Sequence, residues 1–144
     1  MKMSTKSRYA LRLMLDIAAN TSGDGVVSLK DIAERQEVSV KYLEQIVMQL
    51  TRVGLLISSR GSQGGYRLAR NAADCTVGEI IRATEGNVAP VACLAGTPNQ
   101  CRRADKCETL GFWTGLHAVI NDYIDGVTLA DVAAGNGTKS GAGF

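Results

Sequence analysis

Ser39-Val40-Lys41-Tyr42-Leu43-Glu44-Gln45-Ile46-Val47-Met48-Gln49-Leu50 is the stretch on which the fold turns, together with Leu55-Leu56-Ile57-Ser58-Ser59-Arg60-Gly61-Ser62-Gln63-Gly64-Gly65-Tyr66-Arg67-Leu68. The first part opens on a serine whose hydroxyl can cap a helix, and Leu43, Ile46, Val47 and Leu50 recur at helical spacing. That pattern predicts a helix with one buried stripe, leaving Lys41, Tyr42, Glu44, Gln45 and Gln49 to vary in exposure. Gly54 stops the helix. The second part reads as a strand over 55–59, a glycine-rich turn over 60–65 and a return strand over 66–68, a β-hairpin.

Upstream, Ala10, Leu13, Met14 and Ile17 mark one face of a helix running from Ser4 to about Ala19, ended by Thr21-Ser22-Gly23-Asp24-Gly25. Ser28-Leu29-Lys30-Asp31 offers a capping hydroxyl with an acid three residues on, which opens a short helix to about Arg35. Gln36-Glu37-Val38 is the turn. A short helix, a tight turn and a longer helix of mixed polar surface form a helix-turn-helix unit, whose second helix enters the major groove of DNA. A hairpin directly after it is a wing. Its glycines let the backbone approach a phosphate or a narrow minor groove, and Arg60 and Arg67 supply charge there. A turn that only needs positive φ accounts for the glycines but not for the flanking arginines.

Downstream, 71–74 is a linker, and Thr76-Val77-Gly78-Glu79 is a capping box opening a helix over Ile80, Ile81 and Ala83. Residues 87–105 have no period and hold both prolines, Pro90 and Pro98, so a loop is expected. After Cys107, Trp113, Leu116, Val119, Ile120 and Tyr123 recur at helical spacing to about Asp125. So strong an apolar face in so small a chain predicts a dimer seam. Thr128-Leu129-Ala130-Asp131 starts one more turn or short helix, and the glycine-rich stretch from Gly135 to Phe144 is expected to be disordered.

With 144 residues, 45% of them hydrophobic, the chain can bury one core and hardly two. It has no run of eighteen apolar residues, and Met1-Lys2-Met3-Ser4-Thr5-Lys6 leads into a charged amphipathic stretch, so a soluble, cytoplasmic protein without membrane partners is expected. Residues 1–70 carry 11 Lys and Arg against 6 Asp and Glu, a net +5, whereas residues 71–144 carry 5 against 8, a net −3. A basic half joined to an acidic half suits a nucleic-acid reader with a regulatory or dimerising part. An enzyme is not indicated. There is no carboxylate pair near a histidine and no nucleophile elbow, and the glycines of 61–65 lie in a hairpin rather than at the opening of a helix.

Three of the four cysteines crowd into fifteen residues, with seven residues between Cys93 and Cys101 and five between Cys101 and Cys107. A structural zinc site usually has a close Cys-x-x-Cys pair among four ligands, which is missing here. An iron-sulfur cluster is held chiefly by thiolates from loops, and Arg102, Arg103 and Lys106 would favour thiolates and offset the cluster's negative charge. His117 lies ten residues beyond Cys107, about 15 Å of helical rise, and reads as a surface or seam residue. Asp105, Glu108, a residue of a partner subunit, water or a small thiol remain open as the fourth ligand. Cys75, just before a capped helix, reads as a buried small hydrophobe.

Five segments in order resemble the IscR-like regulators of the Rrf2 family of winged-helix transcription factors, across roughly residues 1–132. They are residues 4–10, 28–33, Tyr42-Leu43-Glu44-Gln45-Ile46, Arg60-Gly61-Ser62-Gln63-Gly64-Gly65-Tyr66 and Val77-Gly78-Glu79-Ile80-Ile81. The resemblance implies a mainly α fold with a small β wing. A winged helix-turn-helix DNA-binding domain would span 1–72, a cluster-binding loop and dimerisation helices 73–133, and a disordered tail 134–144. It implies a homodimer crossing its long C-terminal helices, each half reading one half of a roughly palindromic double-stranded promoter site. Residue by residue, it places Ser39, Tyr42, Glu44 and Gln45 toward the bases and Arg60, Gln63 and Tyr66 at the wing. The chemistry agrees in part, because Gln pairs bidentately with adenine and Glu accepts from cytosine.

The same resemblance makes Cys93, Cys101 and Cys107 the ligands of an iron-sulfur cluster, 2Fe-2S or 4Fe-4S. The protein would then be a transcription repressor whose promoter binding follows iron, redox state or nitric oxide. Two departures leave the fourth ligand open: Leu110 stands where IscR-like members that use a histidine place it, and the first cysteine spacing is longer than theirs, closer to that of the family's iron-responsive members. Two other readings keep the DNA reader. In one, the cysteines form a thiol and disulfide switch without a cluster; in the other, a docked metabolic enzyme controls binding, as in members lacking these cysteines.

Overall fold

Ala10, Leu13, Met14 and Ile17 are all fully buried, on one face of the first helix, α1 (Thr5–Asn20), against which the rest of the molecule is assembled. The computed structural model describes residues 1–135; the tail expected to be disordered falls largely in 136–144, outside the described residues. After α1 come α2 (Leu29–Gln36), α3 (Val40–Arg52), strands β1 (Leu56–Ser59) and β2 (Gly65–Leu68), α4 (Val77–Glu85), α5 (Leu110–Asp125) and α6 (Leu129–Ala133). The fold is mainly helical with one two-stranded sheet.

Local sequence sets the helix starts. Ser4, Ser28, Ser39, Thr76 and Thr128 each accept, through the side-chain hydroxyl, the amide N–H three residues on, and each such cap contributes about 1 kcal/mol. Thr76 with Glu79 and Thr128 with Asp131 complete capping boxes. Glu37 ends α2 in the left-handed conformation, φ 55°, and there the chain turns sharply into α3.

The hairpin is antiparallel, with Leu56 opposite Leu68, Ile57 opposite Arg67, Ser58 opposite Tyr66 and Ser59 opposite Gly65. Val27 adds a further bridge: its N–H donates to the Tyr66 carbonyl and its own carbonyl accepts from the Tyr66 N–H, both at 2.9 Å. This contact changes the reason for the glycines. A Cβ on Gly65 would overlap the Val27 carbonyl oxygen, and one on Gly64 the Ser59 carbonyl oxygen, so both are required by the protein's own backbone. Gly61, at φ 106°, is required by the turn.

The core crosses the boundary expected at 72/73. Cys75, Ile80 and Leu129 are buried in one cluster with Leu13, Ile32, Leu43, Ile46, Leu50 and Leu56. Cys75 is indeed a buried small hydrophobe, and burial raises its thiol pKa. Among the described residues Asp16 is the buried charge, its side chain 2% exposed. Arg35 grips it with Nη2 at 2.7 Å and Nε at 3.0 Å, and Gln36 donates from Nε2 at 2.8 Å. Burial pushes the Asp16 carboxyl up, but the hydrogen bonds from Arg35 and Gln36 and the arginine's charge outweigh it and hold the pKa below the ordinary value. This group fastens α2 to α1.

The long helix is clamped at one end. Arg82 forks onto Asp125 at 2.7 and 2.8 Å and donates to the Asn121 side chain at 2.7 Å, crossing over Gly78, where a Cβ would meet Asp125 Oδ1. Beside it, Val77 N–H donates to the Val127 carbonyl and Leu129 N–H to the Cys75 carbonyl. The other end projects: of the α5 residues only Ile124 is buried, while Phe112 and Val119 are each 66% exposed. Among the described residues no helix is long and apolar enough to cross a membrane.

Two glycine substitutions separate these contacts. Gly65→Ala drives a methyl into backbone and should lower stability by about 2 kcal/mol. Gly78→Ala displaces only the end of a surface ion pair and should cost less than about 1 kcal/mol. Urea denaturation checks the ranking; equal losses would contradict it.

Candidate nucleic-acid interface and cysteine loop

Burying Leu43, Ile46, Val47 and Leu50 turns the opposite side of α3 outward, and Lys41, Glu44, Gln45, Met48 and Arg52 are all exposed there. Their spacing, three, four, seven and eleven residues on from Lys41, makes one stripe along the helix. Glu44 and Gln45, expected from sequence to face bases, lie on it. Lys41, Met48 and Arg52 share it and were missing from that expectation, although the same period that selected the buried stripe also selects them.

Ser39 is exposed at the start of α3, with Oγ 3.1 Å from the Tyr42 amide that it caps. Tyr42 is only half exposed. Its ring meets that of Tyr9 edge to face, centroids 5.6 Å apart, so its position is set by α1 as well as by its own helix. The wing stands beside the stripe, and Glu44, Met48, Arg52, Ser58 and Tyr66 line a groove of about 370 Å³ between helix and hairpin. Arg60 and Gln63 are exposed at the hairpin tip. Arg67, expected from sequence to add charge at the wing's contact, is placed differently. It follows Tyr66 and so points to the other side of the hairpin, where it lines a separate cleft with Ala18, Thr21 and Asn71.

The cysteine segment has little holding it. Between Gly86 and Leu110 only Val88 is buried, and the backbone is organised by two short 3-10 turns at Ala92–Leu94 and Ala104–Lys106. Its start is pinned to α1: the Ser4 N–H and the Ser7 hydroxyl both donate to Glu85 Oε1, at 2.7 and 2.6 Å. These bonds, Ser7 foremost, lower the Glu85 pKa.

Cys93 is half exposed, Cys101 exposed and Cys107 half exposed, all as free thiols. Cys107 Sγ lies 3.5 Å from the Thr109 hydroxyl, and hydrogen bonding to Thr109, with the nearby Arg103 charge, draws its thiol pKa below the usual range. Among the described residues no three His, Cys, Asp or Glu side chains are gathered into a metal-binding set. The three cysteines therefore share a segment and a cationic neighbourhood, but in the single chain they do not converge. His117 sits within α5, half exposed, its carbonyl accepting from Asn121.

Residues 3–135 match the family described as "Rrf2: Iron-dependent Transcriptional regulator". The protein rrf2 of Nitratidesulfovibrio vulgaris is 42% identical over 132 residues, covering 92% of this chain and 87% of that protein. Among solved structures, IscR of T. potens superposes with a TM-score of 0.74 at 40% identity, covering 94% of this chain and 88% of that one. CymR, the global cysteine regulator of B. subtilis, superposes with a TM-score of 0.74 at 36% identity, covering 93% and 97%.

The burial pattern makes a direct prediction for the thiols. A maleimide reagent added to the native, metal-free, reduced chain should label Cys93, Cys101 and Cys107 within minutes and Cys75 only after denaturant is added, read by mass mapping. Labelling of Cys75 at the rate of the other three would contradict the buried placement.

Proposed function

This chain belongs to the Rrf2 family of transcriptional regulators, and from that premise we propose that it is a homodimeric repressor. It would bind double-stranded promoter DNA with α3 and the wing, under the control of an iron-sulfur cluster on Cys93, Cys101 and Cys107. The observation that carries the DNA half is the exposed stripe of α3 running beside the wing groove. Ser39, Tyr42, Glu44 and Gln45 face the major groove in this reading, with Gln45 suited to adenine and Glu44 to the amino group of cytosine. Arg60, Gln63 and Tyr66 meet the backbone or minor groove from the wing. The exposed apolar residues of α5, Phe112 and Val119 among them, support a seam with a second copy. Two copies would then present two reading helices to half-sites about one turn of DNA apart.

The cluster half is supported by the chemistry of the donor set. Three accessible thiols stand in a segment with one buried anchor, beside Arg102, Arg103 and Lys106, and a segment so lightly held can draw its cysteines together at small cost in packing. A bound cluster supplies a covalent cross-link whose presence depends on iron, oxidant or nitric oxide. The chain's own part is mechanical: Glu85, held by Ser4 and Ser7, ties the start of the segment to α1, and Leu110 begins the helix at its other end. Ordering the segment changes how α5 sits against the reading head, and so the spacing of the two heads.

A second reading, a thiol switch without metal, has its own support in the accessible free thiols of the segment and in Cys107, whose pKa hydrogen bonding to Thr109 draws below the usual range. One experiment separates the two. Anaerobically purified protein should be coloured, carry iron and acid-labile sulfide, and lose both on Cys93→Ala, Cys101→Ala or Cys107→Ala. A gel-shift salt titration on its own upstream DNA should give different affinities for holo and apo protein. Colourless protein that forms a reversible disulfide among these cysteines would instead establish the thiol switch, and equal affinities would remove sensing altogether.

A further inference from the structure

Asp16 does more than close an ion pair, because the groups around it form a continuous line of contacts that ends on the reading helix. Gln36, the last residue of α2, donates from Nε2 to Asp16 and in return accepts twice from Arg12: Arg12 Nε donates to its side-chain Oε1 and Nη2 to its backbone carbonyl, each at 2.9 Å. The second of these satisfies a carbonyl at the end of α2, immediately before the turn. The Arg12 guanidinium also lies over the ring of Tyr9, its carbon 4.7 Å from the centroid, a cation–π arrangement. The Tyr9 ring in turn meets Tyr42, in the first turn of α3, edge to face at 5.6 Å.

Arg12 is an exposed side chain on α1, and the core does not depend on it. Its hydrogen bonds to Gln36 and its ring contact with Tyr9 go to the two places that determine where the reading helix starts: the end of α2 and, through Tyr9, the ring of Tyr42. A planar fork can hold both Gln36 oxygens and still lie flat on an aromatic ring; an ammonium cannot do both.

We propose that Arg12 is a positioning residue for base recognition: by clamping Gln36 and stacking on Tyr9 it fixes the orientation of Tyr42 and of the first turn of α3. The inference rests on the reading of α3 as the DNA-reading helix. It differs from a phosphate contact by Arg12, which would strengthen binding to every sequence alike and steepen its salt dependence.

The test measures binding by fluorescence anisotropy to the protein's own upstream DNA and to a scrambled duplex of equal length, over a range of salt, for wild type, Arg12→Met, Arg12→Lys, Tyr42→Ala and the Arg12→Met/Tyr42→Ala double variant. Melting midpoints of all variants are compared as a check on folding. Arg12→Met and Arg12→Lys should each lower the ratio of specific to non-specific affinity about tenfold, the size of one mismatched base pair. The salt slope and the affinity for scrambled DNA should stay as in wild type. In the Tyr42→Ala background Arg12→Met should change the ratio less than about twofold, because the path through Tyr42 is already broken.

Retention of the full ratio by Arg12→Met overturns the proposal. So does a uniform loss of affinity with a slope lower by about one that Arg12→Lys restores, since that is the signature of a phosphate contact. An equal loss in both backgrounds overturns it as well. Wild type that fails to distinguish the two duplexes would overturn the DNA reading itself, an outcome visible before any variant is compared.

Discussion

The packing of α1 is the constraint on which the other elements depend. Its apolar face forms the floor of the core, and its buried carboxylate, Asp16, holds the end of α2 through Arg35 and Gln36. Both α3 and the cysteine segment are therefore referred to one helix. α3, the proposed reading helix, is placed by α2 and by Tyr9, and the start of the cysteine segment by Ser4 and Ser7 on Glu85. Stripped of Asp16, the arrangement would still bury its leucines, but the directional hold of α1 on α2 would be reduced to the Arg12 contacts with Gln36, since apolar contacts are not directional.

The molecule divides into a firmly packed head and a lightly held segment. In the head, capped helices share one apolar cluster and the hairpin is paired on its inner side with Val27. The segment from Gly86 to Leu110 has a single buried residue and connects two firm points, Glu85 and α5. Firm packing suits the head in its proposed role of presenting side chains to bases, and weak packing suits the segment in its proposed role of responding to a cluster or an oxidant. The Arg82 fork on Asp125 carries the position of α5 to α4, and α4 packs on α1.

Much of this was legible in the residues, and the legible parts share a cause. Helix starts followed from Ser and Thr hydroxyls, and buried stripes from a period of 3.6, because both are local rules that tertiary contacts here reinforce. Four of the five family-like segments lie in the winged head, and the fifth, Val77-Gly78-Glu79-Ile80-Ile81, opens α4 beyond it. Other features required partners distant in sequence. Nothing near Gly65 announces that Val27 passes against it, and nothing near Arg67 announces the cleft beside Thr21. Arg12, Tyr9 and Tyr42 lie on two helices, so their contact has no signature in either. The spacing of the cysteines could not reveal that the single chain leaves them apart, since an aperiodic segment carries no geometric information.

The claim that the exposed stripe of α3 and the adjoining wing read promoter DNA is tested most directly by hydroxyl-radical footprinting of the protein on the DNA upstream of its own gene. Protection in two short patches on one face of the duplex, about 34 Å apart, is the predicted result. Protection no different from that on unrelated DNA of the same length would contradict it.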